Sequence, residues 1–338
     1  MPQTMLAAVF AGEGSLELQQ RPVPSLQSDD QVLIEVEGCG VCGTDLHILS
    51  TPPGHPATPG VILGHEYLGR VISAGSEVSQ IKVGDRVAVA PNLTCGKCRY
   101  CKAGLSNHCS DFTTLGIFLD GGMAPYNLAP ERACHVLSDD LPFEEAVWTE
   151  LLSCVVNSID LIRPAPGEKA VVIGGGPVGA LHAMLLRAAG VRVIVSDLVE
   201  ERLESLREIG FETVNAGRDD LAQSVAGAFD WGADVVVDAV GNQLAASIEL
   251  ARVGGRICLF GMSETARPAV PQNAITRNEL TVLGCYVGTH SFPRAIAILE
   301  SGIIKPSQLI SQEVGVPGLP ETIDSLRQGR LMKAVVRH

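Results

Sequence analysis

The stretch VVIGGGPVGALHAMLLRAAG, residues 171–190, constrains the fold more than any other part of the chain. A run of β-branched residues passes through Gly174, Gly176 and Gly179, spaced G-x-G-x-x-G, into a segment of helix formers. Gly174 permits a tight turn, Gly176 lets the backbone approach a pyrophosphate, and Gly179 allows close helix–strand contact. Pro177 and Val178 lie in the same loop and are counted with the glycines as cofactor-binding. The free N–H groups of the following helix end favour a phosphate. The next apolar run, VRVIVSD, closes on Asp197, 23 positions after Gly174. A carboxylate there accepts from ribose hydroxyls and repels a 2′-phosphate, so the pattern predicts a Rossmann domain that prefers NAD to NADP.

The same alternation continues on both sides of this motif. KAVVIGG, a helix near 177–189, VRVIVSD, a helix near 199–209, then DVVVDAVG and GRICLFG read as βαβ units around a parallel sheet. Before residue 150 the pattern is different. Residues 5–10, 31–38, 67–73 and 84–90 read as short strands, which predicts a β-rich domain. The expected organisation is α/β overall: residues 1–150 as a β-rich catalytic domain, 151–285 as the nucleotide domain, and 286–338, with a helix near 291–301, as a return to the first.

A chain of 338 residues is long enough for two cores. Its formal charge of −13 argues against a nucleic-acid partner, because such binders need basic patches. No apolar run reaches the roughly 20 residues that span a bilayer. The N-terminus lacks the form of a secretion signal. A cytoplasmic enzyme without a membrane partner is expected.

In a reducing compartment ten cysteines need a role other than disulfides. Four of them, Cys95, Cys98, Cys101 and Cys109, follow the spacing C-x2-C-x2-C-x7-C. Clustered thiolates of this kind bind zinc tetrahedrally, and iron–sulfur ligation is the competing chemistry. Four protein ligands leave no open position, so this site reads as structural. Lys97, Arg99 and Lys102 stand among the ligands and offset their charge.

A second concentration of chemistry lies in VEGCGVCGTDLHILS, residues 36–50, and in GHEYLGRV, residues 64–71. Cys42 with His65 and Glu66 would give a mixed zinc site with room for water or substrate. Taken with the glycine loop and the cysteine lobe, GVCGTDLH and GHE make the chain resemble the zinc-dependent medium-chain alcohol and polyol dehydrogenases, of the sorbitol dehydrogenase type. The resemblance implies a GroES-like β domain, a Rossmann domain and an active site between them, in a homodimer or homotetramer. It implies Cys42 and His65 as catalytic zinc ligands, with Glu66 a ligand or a close neighbour that exchanges with water. Glu150 in WTELLSCVVNS matches the glutamate ligand of sorbitol dehydrogenase-like members, with Leu151 in place of the usual proline and Cys154 as the other candidate.

By the same resemblance Thr44 and His47 carry the substrate proton outward, Asp45 orients a backbone group or a zinc ligand, and Cys39 is packing. Arg202 corresponds to the arginine at the adenine end. Phe260 and Met262 in LFGM, and the segment GCYVG at 284–288, correspond to the nicotinamide edge. Cys285 stands where sorbitol-type members often carry arginine. The implied reaction oxidises a secondary alcohol of a polyol, sugar alcohol or sugar acid to a ketone with NAD, with one catalytic and one structural zinc. An L-threonine 3-dehydrogenase and a non-catalytic, nucleotide-dependent redox sensor are the alternatives.

Overall fold

Apolar residues in strands with buried faces set the framework of the computed structural model, which describes residues 2–338. The chain divides into two units, one running to Leu151 and including Thr289–His338, the other Leu152–Gly288. In chain order the first unit begins with an antiparallel hairpin, β1 (Thr4–Gly12) and β2 (Ser15–Pro22). There follow β3 (Gln31–Gly40), helix α1 (Gly43–Ile48), β4 (Glu66–Ala74) and β5 (Arg86–Val89). A small lobe then carries β6 (Asn92–Leu93), α2 (Arg99–Lys102) and β7 (Thr113–Thr114), before β8 (Tyr126–Pro130), β9 (Cys134–Val136) and α3 (Phe143–Ala146). Helix α4 (Thr149–Ile162) leads out of this unit.

The second unit contains β10 (Lys169–Ile173), α5 (Pro177–Ala188), β11 (Arg192–Asp197), α6 (Glu200–Glu208), β12 (Glu212–Asn215) and α7 (Leu221–Ala228). It continues through β13 (Ala233–Asp238), α8 (Leu244–Leu250), β14 (Ala251–Leu259), α9 (Gln272–Arg277) and β15 (Thr281–Gly284). The chain then returns to the first unit with α10 (Phe292–Ser301), β16 (Ile310–Val314), α11 (Leu319–Arg327) and β17 (Lys333–Arg337).

In the first unit a sheet runs β16-β17-β3-β4-β5-β9, with β8 also paired to β3. Strand β3, QVLIEVEGCG, sits at its centre and buries Val32, Leu33, Ile34 and Val36, so few polar positions survive in it. Full burial of one such side chain contributes about 1.5–3 kcal/mol. The GroES-like β-rich fold is thus built on β3. The second unit is an all-parallel sheet in the order β12-β11-β10-β13-β14-β15. Counted within the unit this is 3-2-1-4-5-6, the doubly wound Rossmann order, whose switch point lies between β10 and β13. Ala170, Val171, Val172, Val235, Val236 and Val237 are fully buried there, as a sheet covered on both faces requires.

One polar network stiffens the second unit from within. His182, on α5, is completely buried. Its Nδ1 lies 2.8 Å from the Val178 carbonyl, which can only accept, so Nδ1 carries the proton. Nε2 is then the acceptor for the Ser158 hydroxyl at 2.6 Å. Burial pulls the imidazole down from 6.5 to about 4, against a smaller upward pull from Val178. The unfolded chain therefore takes up a proton that the folded chain refuses. The resulting stability is complete above pH about 6.5 and is lost as the pH falls toward about 4, up to about 3 kcal/mol in total. Urea midpoints measured across this range should fall with pH in the wild type, and His182→Gln should flatten the slope. An unchanged slope in the variant would remove His182 from the acid response.

Candidate active site and metal centres

Strand register assembles the first cluster. Gly40 at the end of β3 pairs with Glu66 at the start of β4, which brings Cys42, two residues on, beside His65. On the other side of β3, Val335 of β17 pairs with Gly40 in antiparallel register, which sets Lys333 opposite the Cys42 end of the strand. Cys42 is the N-cap of α1. Its backbone N–H donates to Asp45 Oδ2 at 2.8 Å, and this side-chain cap fixes the turn that presents the thiol.

The result is a buried group of ionisable side chains. Asp45, Glu66 and Lys333 are at most 1% exposed, His65 6% and Glu150 8%. Donor atoms of Cys42, His65 and Glu66 lie within 4.8 Å of one another. Asp45 Oδ1, His65 Nδ1 and Glu66 Oε1 are buried without a hydrogen-bond partner, although Asp45 Oδ1 stands 3.8 Å from His65 Nδ1. Buried His65 and Glu66 with the half-buried thiol of Cys42 are the donor set of a zinc site that keeps one position open, and Glu66 Oε1 is left without a partner to serve it, so the residues fit the metal. The Asp45 carboxylate facing the outer ring nitrogen is the arrangement that fixes a histidine ligand.

The electrostatics of the protein alone agree with this. Burial, then the charge of Glu66, pushes the Cys42 thiol up, so a nearby cation is needed to hold it as thiolate. Burial opposes charge on His65, but Cys42, Asp45 and, more weakly, Glu150 together lift it well above its ordinary value. Burial also pushes the Glu66 carboxyl up, and the Lys333 ammonium and His65 more than offset this, leaving it below the ordinary carboxylate value. Glu150, in the first turn of α4, is near enough for its charge to act on His65 but is outside the close set formed by Cys42, His65 and Glu66. Cys154 lies one helical turn later, beyond the boundary of the first unit.

Thr44 Oγ1 is 3.7 Å from Cys42 Sγ, and His47, one turn further along α1, is exposed. Hydroxyl and imidazole therefore stand on one face of the same short helix, the first beside the cluster and the second in water. Cys39 is fully buried, with its thiol 3.3 Å from the Gly40 carbonyl, which is a packing role.

The second cluster is Cys95, Cys98, Cys101 and Cys109, all reduced. Sulfur separations are 3.5 Å for Cys98–Cys101, 3.5 Å for Cys95–Cys109 and 3.9 Å for Cys98–Cys109. A tetrahedron with metal–sulfur bonds of about 2.3 Å has edges of about 3.8 Å. The spacing suits one tetrahedral ion and is too tight for a cluster of several irons. Backbone N–H groups of Cys95, Cys98, Cys101 and Asp111 point at the sulfurs from 3.3 to 3.5 Å. Such donors at Cys101 and Ser110 hold the Cys98 thiol down to about 5.

In the second unit the three glycines differ in what they need. Gly174 has φ +102°, a conformation that L side chains avoid. A Cβ on Gly179 would lie 1.7 Å from the Gly174 carbonyl oxygen, so helix α5 can dock only without one. Gly176 has an ordinary φ of −69°, and a Cβ there would meet nothing nearer than Arg202 at 3.9 Å. No protein atom requires that glycine, so the open space over it fits a pyrophosphate laid against Pro177, Val178 and the α5 N-terminus. Asp197 at the end of β11 accepts from Gly175 N–H at 2.6 Å and Val199 N–H at 2.8 Å, and Arg202 Nη1 stands 3.6 Å away.

The remaining residues expected at the nicotinamide edge differ from one another. The Phe260 ring packs edge-on against His182, with centroids 4.9 Å apart, whereas Met262 is 65% exposed. Two contributors were not anticipated from the sequence. Asp238 at the end of β13 accepts backbone N–H groups from Val240, Gly241 and Gln243 and so shapes the loop beside the glycines. Lys333 donates to Glu66. Its signal was a lone lysine in the apolar run MKAVV, at the residue where β17 begins.

Two family profiles match this chain, alcohol dehydrogenase GroES-like domain over residues 28–139 and zinc-binding dehydrogenase over residues 177–301. The chain is 33% identical to D-arabinitol dehydrogenase 1 of Uromyces fabae, over 100% of this chain and 98% of that protein. It is 32% identical to a sorbitol dehydrogenase of Bacillus subtilis, over 98% and 96%. Among solved structures, a zinc-binding dehydrogenase of Sinorhizobium meliloti bound to NADP superposes with a TM-score of 0.94 at 31% identity, over 100% of both chains. Fold, glycine loop, cysteine lobe and these relatives lead to one conclusion: the chain belongs to the zinc-dependent medium-chain alcohol and polyol dehydrogenases.

Proposed function

We propose that the enzyme oxidises a secondary hydroxyl of a polyol, sugar alcohol or sugar acid to the ketone, with NAD as hydride acceptor. The observation that carries this reading is the set of buried His65 and Glu66 with half-buried Cys42, a single sulfur donor, and the carboxylate of Glu150 nearby. The named relatives, an arabinitol and a sorbitol dehydrogenase, act on polyols and support it.

When bound, zinc supplies Lewis-acid polarisation of the substrate oxygen and nicotinamide supplies the hydride acceptor. Cys42, His65 and Glu66 would hold the metal, and Glu150 adds negative charge that favours a cation there. Asp45 holds the Cys42 turn and faces His65, which keeps both donors aimed inward. Thr44 Oγ1, beside the cluster, would take the proton leaving the substrate hydroxyl as it gives up its own, and His47, in water, would release a proton to solvent. The carboxylate-rich surroundings suit a substrate with a second hydroxyl beside the reacting one.

Two experiments test this reading. In a substrate panel with NAD, vicinal polyols should exceed 1-butanol in kcat/KM by at least about a hundredfold, because buried polar groups left unpaired by an apolar substrate are costly. Glu150→Ala should lower both zinc retention and rate. A simple primary alcohol as the best substrate would overturn the polyol reading, and full rate and zinc in Glu150→Ala would remove that residue from the site.

Cofactor choice rests on Asp197. A charge-assisted bond to ribose is worth about 1.5–3 kcal/mol, roughly ten- to a hundredfold in affinity. Fluorescence titration should show the wild type preferring NADH to NADPH, with the preference reduced by that factor in Asp197→Ala, where Arg202 is left free for a 2′-phosphate. Equal binding of both cofactors by the wild type would contradict the assignment.

A further inference from the structure

Lys333 is a cation sealed beside a site that would hold another cation. Its side chain is 1% exposed. The ammonium donates to Glu66 Oε2 and to the Val41 carbonyl at 3.1 Å, and it stands 5.4 Å from the centre of the Trp148 ring. Glu66 Oε1, the other oxygen of the same carboxylate, is buried without a partner and belongs to the side chain grouped with Cys42 and His65. The pair lies against bare backbone: a Cβ on Gly40 would be 2.2 Å from Glu66 Oε2 and 3.1 Å from Lys333 Nζ.

We propose that Lys333 is a positioning residue for the metal site, holding one oxygen of Glu66 and so setting how firmly the other oxygen binds the ion. This deepens the reading above and rests on Cys42, His65 and Glu66 holding zinc. While Lys333 keeps Oε2, only part of the carboxylate charge reaches the metal, and the ammonium itself repels a dication. Glu66 is then a weak donor that yields easily to an incoming substrate oxygen. Without the ammonium, both oxygens turn to the metal and the grip tightens. A lysine whose charge is fully screened from the metal by Glu66 would leave metal release unchanged when removed, at a cost in stability alone.

The test is the rate at which the zinc-loaded enzyme releases metal to a chromogenic chelator, 4-(2-pyridylazo)resorcinol. The kinetic phase belonging to this site is the one that Cys42→Ser abolishes. Lys333→Met should slow that phase by at least about tenfold, as expected for removing a like charge from a poorly solvated site. Lys333→Arg should stay close to wild type, and Glu66→Gln should release faster. Gly40→Ala provides a second route if Lys333→Met does not fold, because its Cβ displaces only the tips of two flexible side chains; it should also slow release. Unchanged or faster release in Lys333→Met, or in Gly40→Ala where the former does not fold, overturns the inference and leaves the metal reading intact. A wild type with no phase that Cys42→Ser removes overturns the metal reading itself.

Discussion

Removing charge from water is the constraint around which the first unit is arranged. Asp45, Glu66, Glu150 and Lys333 are all withdrawn from solvent in one region, together with His65 and beside the half-buried thiol of Cys42. Breaking one partner out of a buried pair costs about 3–5 kcal/mol, a large part of the 5–15 kcal/mol that stabilises a typical domain. The fold meets that cost with backbone geometry. The β3–β4 register sets Glu66 against Gly40, the β17 register delivers Lys333 from the other side, and the Asp45 cap turns the chain at Cys42. Lys333 partners one oxygen of Glu66 and the Cys42 N–H one oxygen of Asp45, which leaves Glu66 Oε1 without a partner beside Cys42 and His65.

The other functional elements use backbone donors in the same way. In the cysteine lobe, four N–H groups are directed at sulfur, and those at Cys98 help to hold its thiol low. In the second unit the β10–α5 turn leaves N–H groups free, and Asp197 and Asp238 each hold neighbouring backbone in place. The two metal groups differ in what remains open. Four thiolates close a coordination sphere and suit a structural role, whereas three mixed donors leave a position for substrate.

Much of this was legible in the sequence because it is local. The strands at 31–38 and 67–73, the helix at 177–189 and the glycine spacing are short-range patterns, and the structure has β3, β4 and α5 over nearly the same residues. The cysteine lobe was legible for the same reason, its ligands lying within fifteen positions. What escaped is non-local or carried by weak patterns. The Lys333–Glu66 pair joins residues 267 positions apart, and only the register of β17 on β3 brings them together. Strand β2, SLELQQRP, shows no clear apolar face because it is exposed or half-buried throughout, and its pairing with β1 decides it. The edge-on packing of Phe260 against His182 is likewise a contact the motif alone does not reveal.

The two donor sets imply two metal centres with separate duties. Elemental analysis of the purified enzyme and of Cys42→Ser, combined with thermal melting of both, tests it most directly. Two zinc ions per chain are expected in the wild type and one in Cys42→Ser, with a melting transition kept in the variant because the four-thiolate centre still contributes folding free energy. Iron in place of zinc, or the same single zinc in both proteins, would contradict it.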